Sequence, residues 1–409
     1  MSERAELPDH VRCCIAGGGP AGMMLGFLLA RAGVETLVLE KHADFFRDFR
    51  GDTIHPSTLT VMAELGLLDE FLQLPHDEIA ELSGRVGTTK LKMVDLRHVP
   101  GPCKFIAMMP QWDFLDFLAA HARRYPAFHL AMEAEATDLV RDGDRVVGVR
   151  VRTKDGERVV RADLVVGADG RSSAVRARAG LVVVDTGVPI DVLWLRLSRR
   201  EHDPGAEFGN IGPGGILVAI PRSDYYQCAF VIRKSAFDTI KANGLPAFRA
   251  SIAKLAPFLA DRVDELQDWD QVKLLTVTVD HLRAWALPGL LCIGDAAHAM
   301  SPIFGVGINL AIQDAVAAAN LLYEPLRSGA PTLAQLQRVQ HRREWPARMV
   351  QRIQVFVQDR FMTRLLDTSN LPRAPWILRL LTAIPGFRRI PAYVVGIGFR
   401  PEHVRTPFA

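Results

Sequence analysis

Hydrophobic positions divide the first third of the chain into short buried strands and amphipathic helices. The apolar run 11–16 predicts a strand, a helix then extends to about residue 32, and a second apolar run ends at Glu40. A strand, a helix and a strand in succession form the crossover unit that two parallel strands require. Further helices are predicted over 55–73 and 112–124. We therefore expect a parallel α/β structure at the amino terminus.

The middle of the chain favours β-strands, and the remainder is mostly helical. Turn dipeptides near residues 142 and 154 predict two hairpins, and apolar runs between 181 and 270 predict a strand-rich insertion. A helical piece at 246–260 interrupts that insertion, and 272–279 predicts another strand. From about residue 310 helices dominate, with breaks expected at Pro325, Pro346, Pro372 and Pro375.

Length and charge exclude some classes of protein. The chain has 409 residues, more than one hydrophobic core usually organises, so two or more domains are expected. It is 49% hydrophobic and 23% charged, with a formal net charge of +3. Its arginines are dispersed, so no nucleic-acid-binding surface is predicted.

Cysteine usage and the amino terminus predict a cytoplasmic protein. The start of the chain is polar, unlike a signal peptide, and the longest apolar helix candidate, residues 21–33, is too short to span a bilayer. No cysteine spacing matches a metal site, so no metal is expected. Buried, reduced thiols are predicted for Cys13, Cys14, Cys103, Cys228 and Cys292.

The first motif that carries chemistry is the loop GGGPAG between the first strand and helix. Gly17, Gly19 and Gly22 let the backbone turn tightly and approach a pyrophosphate, which the helix amino terminus attracts. Glu40, at the end of the next strand, can accept hydrogen bonds from the ribose hydroxyls of an adenosine. The alternative is an ordinary tight turn with a solvated Glu40. The pattern indicates an adenine dinucleotide and leaves NAD and FAD open.

A second motif, ADLVVGADGRSSAVR, covers residues 162–176 and ends an apolar strand in Asp169 and Gly170. An acid beside a tight backbone turn suits a nucleotide site. The alternative is a plain strand-to-helix turn in which a serine caps the helix.

The third motif, GDAAHAMSPIFGVGINLAIQD, covers residues 294–314 and predicts a flavin site. Asp295 follows an apolar strand, where its carboxylate can accept from a ribityl hydroxyl. Gly305, Gly307 and Asn309 allow backbone N–H groups to close around a flat ring, and the helix that starts near Asn309 directs its positive end toward that ring. Such a helix end stabilises the anionic reduced flavin. For His298 the alternative to a catalytic role is a packed or capping imidazole.

These three motifs, in this order, resemble the class A flavoprotein monooxygenases, the FAD-dependent aromatic hydroxylases of the para-hydroxybenzoate hydroxylase type. The resemblance covers roughly residues 10–325. It implies a mixed α/β (α+β) fold with a Rossmann-like FAD-binding domain, an inserted β-sheet substrate domain and a C-terminal helical region. The expected boundaries are 1–75, 103–180 and 271–330 for the FAD-binding domain, 76–102 and 181–270 for the substrate domain, and 331–409 for the helical region.

The resemblance also implies which residues hold FAD. Arg50 matches the family arginine near the flavin and pyrophosphate, Gln111 matches a position where many members have arginine, and Asp169 matches an acid that touches FAD and is implicated in NAD(P)H use. The full expected cofactor set is Gly17, Gly19, Pro20, Ala21, Gly22, Glu40, Lys41, Arg50, Gln111, Asp169, Gly294, Asp295, Pro302, Gly305, Gly307, Ile308 and Asn309.

Substrate residues are expected by position only. Pro302 and His55 are pocket candidates in place of an assigned catalytic residue, and the substrate candidates are Trp194, Arg222, Tyr225 and Tyr226. Ordinary packing is the alternative for each. The apolar insertion favours an apolar or polycyclic substrate.

The implied reaction is hydroxylation of an electron-rich aromatic or polycyclic small molecule. NADH or NADPH would reduce FAD, and O₂ would add to give a flavin C4a-hydroperoxide that transfers one oxygen atom. The single dinucleotide loop agrees with transient nicotinamide binding. Same-fold reductases, epoxidases and halogenases, and a non-catalytic flavin-binding module, stay open as alternatives. The oligomeric state stays open, with a homodimer as the usual arrangement, and the C-terminal segment either packs on the FAD domain or makes a peripheral membrane contact.

Overall fold

The computed structural model describes residues 7–46, 53–87, 89–203, 207–212, 215–222, 224–362, 366, 384 and 386–408. Within these ranges the strands are β1 His10–Ala16, β2 Thr36–Leu39, β3 Thr53–Ile54, β4 Asp77–Ile79, β5 Glu81–Val86, β6 Thr89–Asp95, β7 Ile106–Met108, β8 Phe128–Ala131, β9 Glu135–Asp142, β10 Arg145–Thr153, β11 Gly156–Gly167, β12 Val183–Asp185, β13 Ile190–Ser198, β14 Glu207–Gly212, β15 Gly215–Pro221, β16 Tyr225–Arg233, β17 Lys273–Leu275, β18 Asp280–Leu282, β19 Ala286–Leu287 and β20 Leu290–Cys292.

The helices in the same ranges are α1 Pro20–Arg31, α2 Pro56–Glu64, α3 Leu68–Phe71, α4 Gln111–Ala122, α5 Ala174–Arg178, α6 Phe237–Ala242, α7 Leu245–Leu255, α8 Gly307–Ser328, α9 Leu333–Val357 and α10 Arg389–Gly396. Short 3₁₀ turns include Leu96–His98, Gly294–Ala296 and Ile303–Gly305, and α9 continues into a π-helical turn at Gln358–Met362.

The larger sheet contains the predicted parallel crossover. Its strand order is β19-β20-β11-β1-β2-β8, with β1 parallel to both β2 and β11. The apolar residues of β1 and β2 are buried because helices cover the sheet, as parallel sheets require. β9 and β10 form an antiparallel extension of β11, and their turns lie at the two predicted hairpin positions.

The second sheet collects segments that are distant in sequence. Its order is β17-β13-β16-β15-β14-β5-β6, so residues 81–95 join a sheet built mainly from residues 190–233. Alternate residues of its central strands pack against α7 in one apolar cluster. The opposite face contacts α10 and the turn at Ile303. A small three-stranded sheet, β3-β7-β4, is formed separately.

Three sequence-based expectations about helices are wrong. Pro325 and Pro346 lie inside α8 and α9 instead of ending them. An interior proline costs a helix about 3 kcal/mol, which the buried packing of two long helices offsets. Pro372 and Pro375 lie outside the described residues. The single helix expected over 55–73 divides at Gly66, whose φ of +71° ends the first helix.

The third wrong expectation concerns length, because residues 21–33 do not form the longest apolar helix. Among the residues that the structure describes, one helix, Ile303–Ser328, is long and apolar enough to cross a membrane by length and composition. Its apolar window is 78% buried inside the protein, because it packs in the core. Burial of this kind is typical of a central helix in a globular fold.

Candidate functional site

The first glycine loop joins β1 to α1 and presents its backbone to an open groove. Gly17 has a φ of +108°, and a Cβ there would lie 2.4 Å from the carbonyl oxygen of Ala168. Only glycine satisfies both constraints. No atom lies within 4 Å of the Cβ position of Gly19, and α1 begins at Pro20 without a side-chain cap. The unpaired N–H groups of that helix end can therefore receive an anionic pyrophosphate.

Glu40 lies directly after β2, against this loop. Its Oε2 accepts a hydrogen bond from the N–H of Gly18 at 3.1 Å, and its Oε1 accepts from the N–H of His42 at 3.0 Å. A Cβ at Gly18 would lie 2.9 Å from the Cβ of Glu40. The carboxylate thus ties the loop to the strand end, at the place where the ribose hydroxyls of a dinucleotide are expected.

The second motif forms the turn between β11 and α5. The carboxylate of Asp169 accepts from Ser173 Oγ at 2.5 Å and from the N–H of Val175 at 3.1 Å. Ser173 in turn caps α5 by accepting from the N–H of Arg176. The sequence alternative, a strand-to-helix turn with a serine cap, therefore describes the local structure, and the Asp169 side chain organises that turn.

The third motif packs against the first turn of α1 and lies beside the second motif. Gly294 has a φ of +59°, and a Cβ there would lie 3.1 Å from the Cβ of Ala21. Asp295 is about one-third exposed, and its Oδ2 is 3.5 Å from Nη2 of Arg171. Further along, α8 starts at Gly307 without a side-chain cap, and no atom lies within 4 Å of the Gly307 Cβ position. The three loops thus meet around one groove.

A buried ionic network supports the third motif from behind. Asp314 is fully buried, and its carboxylate accepts from the N–H of Gly294 at 3.1 Å, from His298 Nε2 at 2.6 Å and from Arg343 Nε at 3.0 Å. Burial opposes ionisation, but His298 and Arg343 outweigh it and lower the pKa of Asp314. Arg343 also contacts Glu402 near the C terminus. His298 is therefore a packed imidazole, the alternative that the sequence left open.

Residues 53–58 lie along the flavin-type loop. Thr53 Oγ1 donates to the carbonyl of Gly305 at 2.6 Å, and the side-chain oxygen of Asn309 accepts from the N–H of His55 at 2.9 Å and from Thr58 Oγ1 at 2.7 Å. These bonds commit the side chain of Asn309 to holding residues 53–58 against the loop. The backbone of the loop stays available to the groove.

The second sheet separates the four substrate candidates. Tyr226 is 1% exposed and lies among the apolar sheet residues that pack against α7. Trp194 and Tyr225 occupy alternate positions and therefore lie on the opposite face. Arg222 reaches that face as well, because its Nη2 lies 3.4 Å from Oε1 of Gln227. Three of the candidates thus share one face, and Tyr226 is not among them.

The flavin-type loop and α10 both contact that opposite face. Ile303 packs with Ile216 and Val231, whereas Val395 of α10 packs in the cluster that includes Ile220 and Trp194. Pro302 precedes Ile303 and lies at the junction of loop and sheet. The packing alternative for the C-terminal segment therefore describes α10, although its partner is chiefly the second sheet.

The remaining predicted positions are less constrained. Pro20 and Ala21 open α1, Gln111 is the first residue of α4, Lys41 is exposed directly after Glu40, and Ile308 lies in the core at the start of α8. Arg50 lies outside the described residues.

Sequence reasoning missed Asp314, Arg343, Gln227 and the contact of α10 with the second sheet. An acid within the apolar, alanine-rich first half of α8 was the available signal for Asp314. The polar Gln227 within a continuous apolar strand was the signal for that side chain. Nothing local indicates that α10 returns to the second sheet.

The residues present fit FAD. Gly17 and Gly22 sit where a Cβ would strike backbone, and Gly19 and Gly307 face open space. Two helix amino termini without side-chain caps border the same groove. Backbone donors, flanking carboxylates and close approach to glycine backbone are features that a dinucleotide requires.

Comparison with known proteins agrees with this geometry. The sequence profile of the family described as "FAD binding domain" matches residues 10–353. The chain is 33% identical over 389 residues to 6-methylpretetramide 4-monooxygenase of Streptomyces rimosus, covering 93% of this chain and 91% of that protein. It is 28% identical over 389 residues to rifampicin monooxygenase of Streptomyces venezuelae, covering 93% and 76%.

Solved structures share the fold. The anhydrotetracycline hydroxylase OxyS of Streptomyces rimosus has a TM-score of 0.73 at 23% identity, covering 95% of this chain and 76% of that one. PqsL of Pseudomonas aeruginosa, a probable FAD-dependent monooxygenase, has a TM-score of 0.72 at 24% identity, covering 88% and 97%.

The chain therefore belongs to the FAD-binding family of the class A aromatic hydroxylases. It is an FAD-dependent aromatic monooxygenase, whose cofactor and cosubstrates are FAD, a nicotinamide donor and O₂. The predicted family, fold class, enzyme class and cofactors are confirmed.

Proposed function

We propose that this protein hydroxylates one ring of a polycyclic aromatic compound of the tetracycline-precursor type, with electrons from NADH or NADPH. The relative that acts on 6-methylpretetramide, by its name, shares a third of its residues with this chain over nearly the whole length of both. The observation that carries the proposal is that Ile303, in the third of the three loops, packs on one apolar face of the second sheet.

The glycine backbone and the helix ends would hold FAD. Gly17, Gly19 and the start of α1 receive the pyrophosphate, and Glu40 receives the adenosine ribose. Asp295 would accept from the ribityl chain, and the segment from Gly305 to Asn309 would border the ring. The side chains of Asp169 and Asn309 support these loops through the hydrogen bonds described above.

Bound FAD supplies the redox chemistry, taking electrons from the nicotinamide and activating O₂ for transfer of one oxygen atom. The chain contributes orientation, charge and exclusion of water. The start of α8 has no side-chain cap, and its positive end would favour the anionic reduced state of a flavin ring bound beside it. α10 and the second sheet share an apolar cluster beside this loop, which would limit the access of water to the reacting atoms.

The sheet face suits a flat, largely apolar substrate. Trp194, Val218 and Ile220 give it an apolar surface, and its buried polar side chains include Gln227 and Arg222, each 5% exposed. The amide nitrogen of Gln227 has no hydrogen-bond partner among the described residues, whereas its oxygen accepts from Arg222. An unused buried donor of this kind suits a carbonyl oxygen of the substrate.

Turnover with defined reagents tests the proposal. The FAD-loaded protein is mixed with NADH or NADPH in air, with and without 6-methylpretetramide or the simple phenol 2-naphthol. We expect nicotinamide oxidation to accelerate with the aromatic compound and the product to gain the mass of one oxygen atom. Absence of oxidation with either nicotinamide would leave a flavin-binding module, and substrate reduction without O₂ uptake would indicate a reductase.

A further inference from the structure

One side chain beside the site has a hydrogen-bonding atom that the fold does not use. His55 is completely buried, and its Nδ1 lies 2.7 Å from the carbonyl oxygen of Val395. A carbonyl only accepts hydrogen bonds, so Nδ1 must carry the proton. The lone pair of a neutral imidazole then resides on Nε2.

The environment keeps this imidazole neutral. Burial lowers the pKa of His55 to about 4, although the hydrogen bond to Val395 acts in the opposite direction. At neutral pH Nε2 is therefore purely an acceptor. It has no partner among the residues that the structure describes. A buried polar atom left unsatisfied costs about 1–3 kcal/mol, which indicates that a ligand or water completes it.

The position of His55 indicates which ligand. Its backbone N–H donates to Asn309, in the turn that borders the flavin position, and Thr53 donates to Gly305 of the same turn. Its ring donates to Val395 of α10, which belongs to the apolar cluster that also includes Ile220 of the second sheet. His55 therefore lies between the flavin-type loop and α10, the helix that packs on the second sheet.

We propose that Nε2 of His55 accepts a hydrogen bond from a hydroxyl group of the aromatic substrate, so that the enzyme selects rings with a free phenolic hydroxyl. This inference rests on the proposed function. His55 orients the ring and does not remove the proton, since so weak a base cannot deprotonate a phenol whose pKa is about 10.

Two substitutions of His55 distinguish the acceptor at Nε2 from the hydrogen bond that Nδ1 donates to Val395 of α10. Asparagine places an amide N–H near the position of Nδ1 and can keep the bond to Val395, but it has no atom at the position of Nε2. Glutamine places an amide oxygen near Nε2 and keeps an acceptor there. His55→Asn and His55→Gln are therefore a matched pair.

The probes are 2-naphthol and its methyl ether, 2-methoxynaphthalene, which differ in the donated hydrogen. Their Kd values are measured from the absorbance change of the oxidised flavin in the FAD-loaded protein. We expect the wild type to prefer 2-naphthol about three- to tenfold, as one neutral hydrogen bond allows. His55→Asn should lose that preference and His55→Gln should retain most of it, with unchanged FAD affinity in both.

Several results would overturn the inference. These are an unchanged preference in His55→Asn, equal or absent binding of both probes by the wild type, and a weaker FAD affinity in His55→Asn without a change in the probe ratio. The last result would assign Nε2 to a flavin N–H or hydroxyl. The measurement needs neither nicotinamide nor O₂, so a retained probe ratio without turnover would count against the proposed function alone.

Discussion

The two regions that meet at the site are built in different ways. The cofactor groove is made of backbone, because glycines at strand ends bring peptide groups close to a ligand, as at Gly17 and Gly19. The proposed substrate face is made of side chains, such as Trp194 and Gln227, that alternate along antiparallel strands. Replacing a groove glycine introduces atoms where the ligand or backbone must be. Replacing a face residue changes one contact among many, so smaller effects are expected there.

The largest effect is expected from Gly17→Val. A side chain at a φ of +108° is strained, and its Cβ would strike the carbonyl of Ala168. We expect a loss of about 3 kcal/mol or more in unfolding free energy, together with loss of bound FAD. Denaturant unfolding and the visible spectrum measure the two. A stable, yellow variant would show that the groove tolerates side chains and would remove the contrast.

Gly19→Val separates cofactor binding from folding. The Cβ position of Gly19 has no neighbour within 4 Å and its φ is −74°, so the apoprotein should keep its stability. The added side chain would occupy the pyrophosphate position, and we expect FAD affinity to fall about a hundredfold or more. Flavin fluorescence titration measures the affinity, with Gly17→Val as the destabilised comparison. Unchanged affinity would place the pyrophosphate elsewhere.

Acid pH should affect the two regions in separate windows. The pKa of His55 is about 4 in the folded state against about 6.5 when unfolded, so its contribution is complete above pH 6.5 and diminishes as the pH falls toward 4. The loss should reach about 1.4 kcal/mol at pH 5.5. Asp314 behind the groove has a lowered pKa, and its contribution is lost only below about pH 3.9.

The loss of the His55 contribution is tested by measuring the unfolding free energies of the wild type and of His55→Asn between pH 7 and 5. The variant has no group that titrates there at position 55, so its profile should be flatter. Parallel profiles would mean that another group causes the acid sensitivity.

The smallest effect is expected from Gln227→Leu on the substrate face. It removes the buried amide, including the oxygen that accepts from Arg222, so the Kd of a carbonyl-bearing substrate should rise about three- to tenfold with FAD affinity unchanged. Tyr226→Phe, one position away on the opposite face, is the matched control and should leave substrate binding unchanged. If the two variants behave alike, the substrate does not contact this face.

Much of the cofactor groove could be predicted because its signals are local. Glycine spacing, the following helix and the acid at a strand end occur within about thirty residues, the length of one crossover unit. The prolines show the limit of local rules. Pro346 satisfies a rule for ending a helix, yet α9 continues through it because packing with the rest of the fold outweighs a local cost.

The substrate face could not be predicted to the same depth. Tyr225 and Tyr226 are equivalent in the sequence, and only the pairing of β16 with β13 places them on opposite faces. His55 and Val395 are joined across more than three hundred positions, which no periodicity indicates.

The sequence by itself determined the dinucleotide loops, the family and the FAD chemistry, because each depends on backbone conformations that short glycine-rich segments encode. The tertiary structure alone decided which side chains share a face of the second sheet and that α10 contacts His55. Those facts depend on strand register and on contacts between distant segments, which are fixed only when the whole core packs.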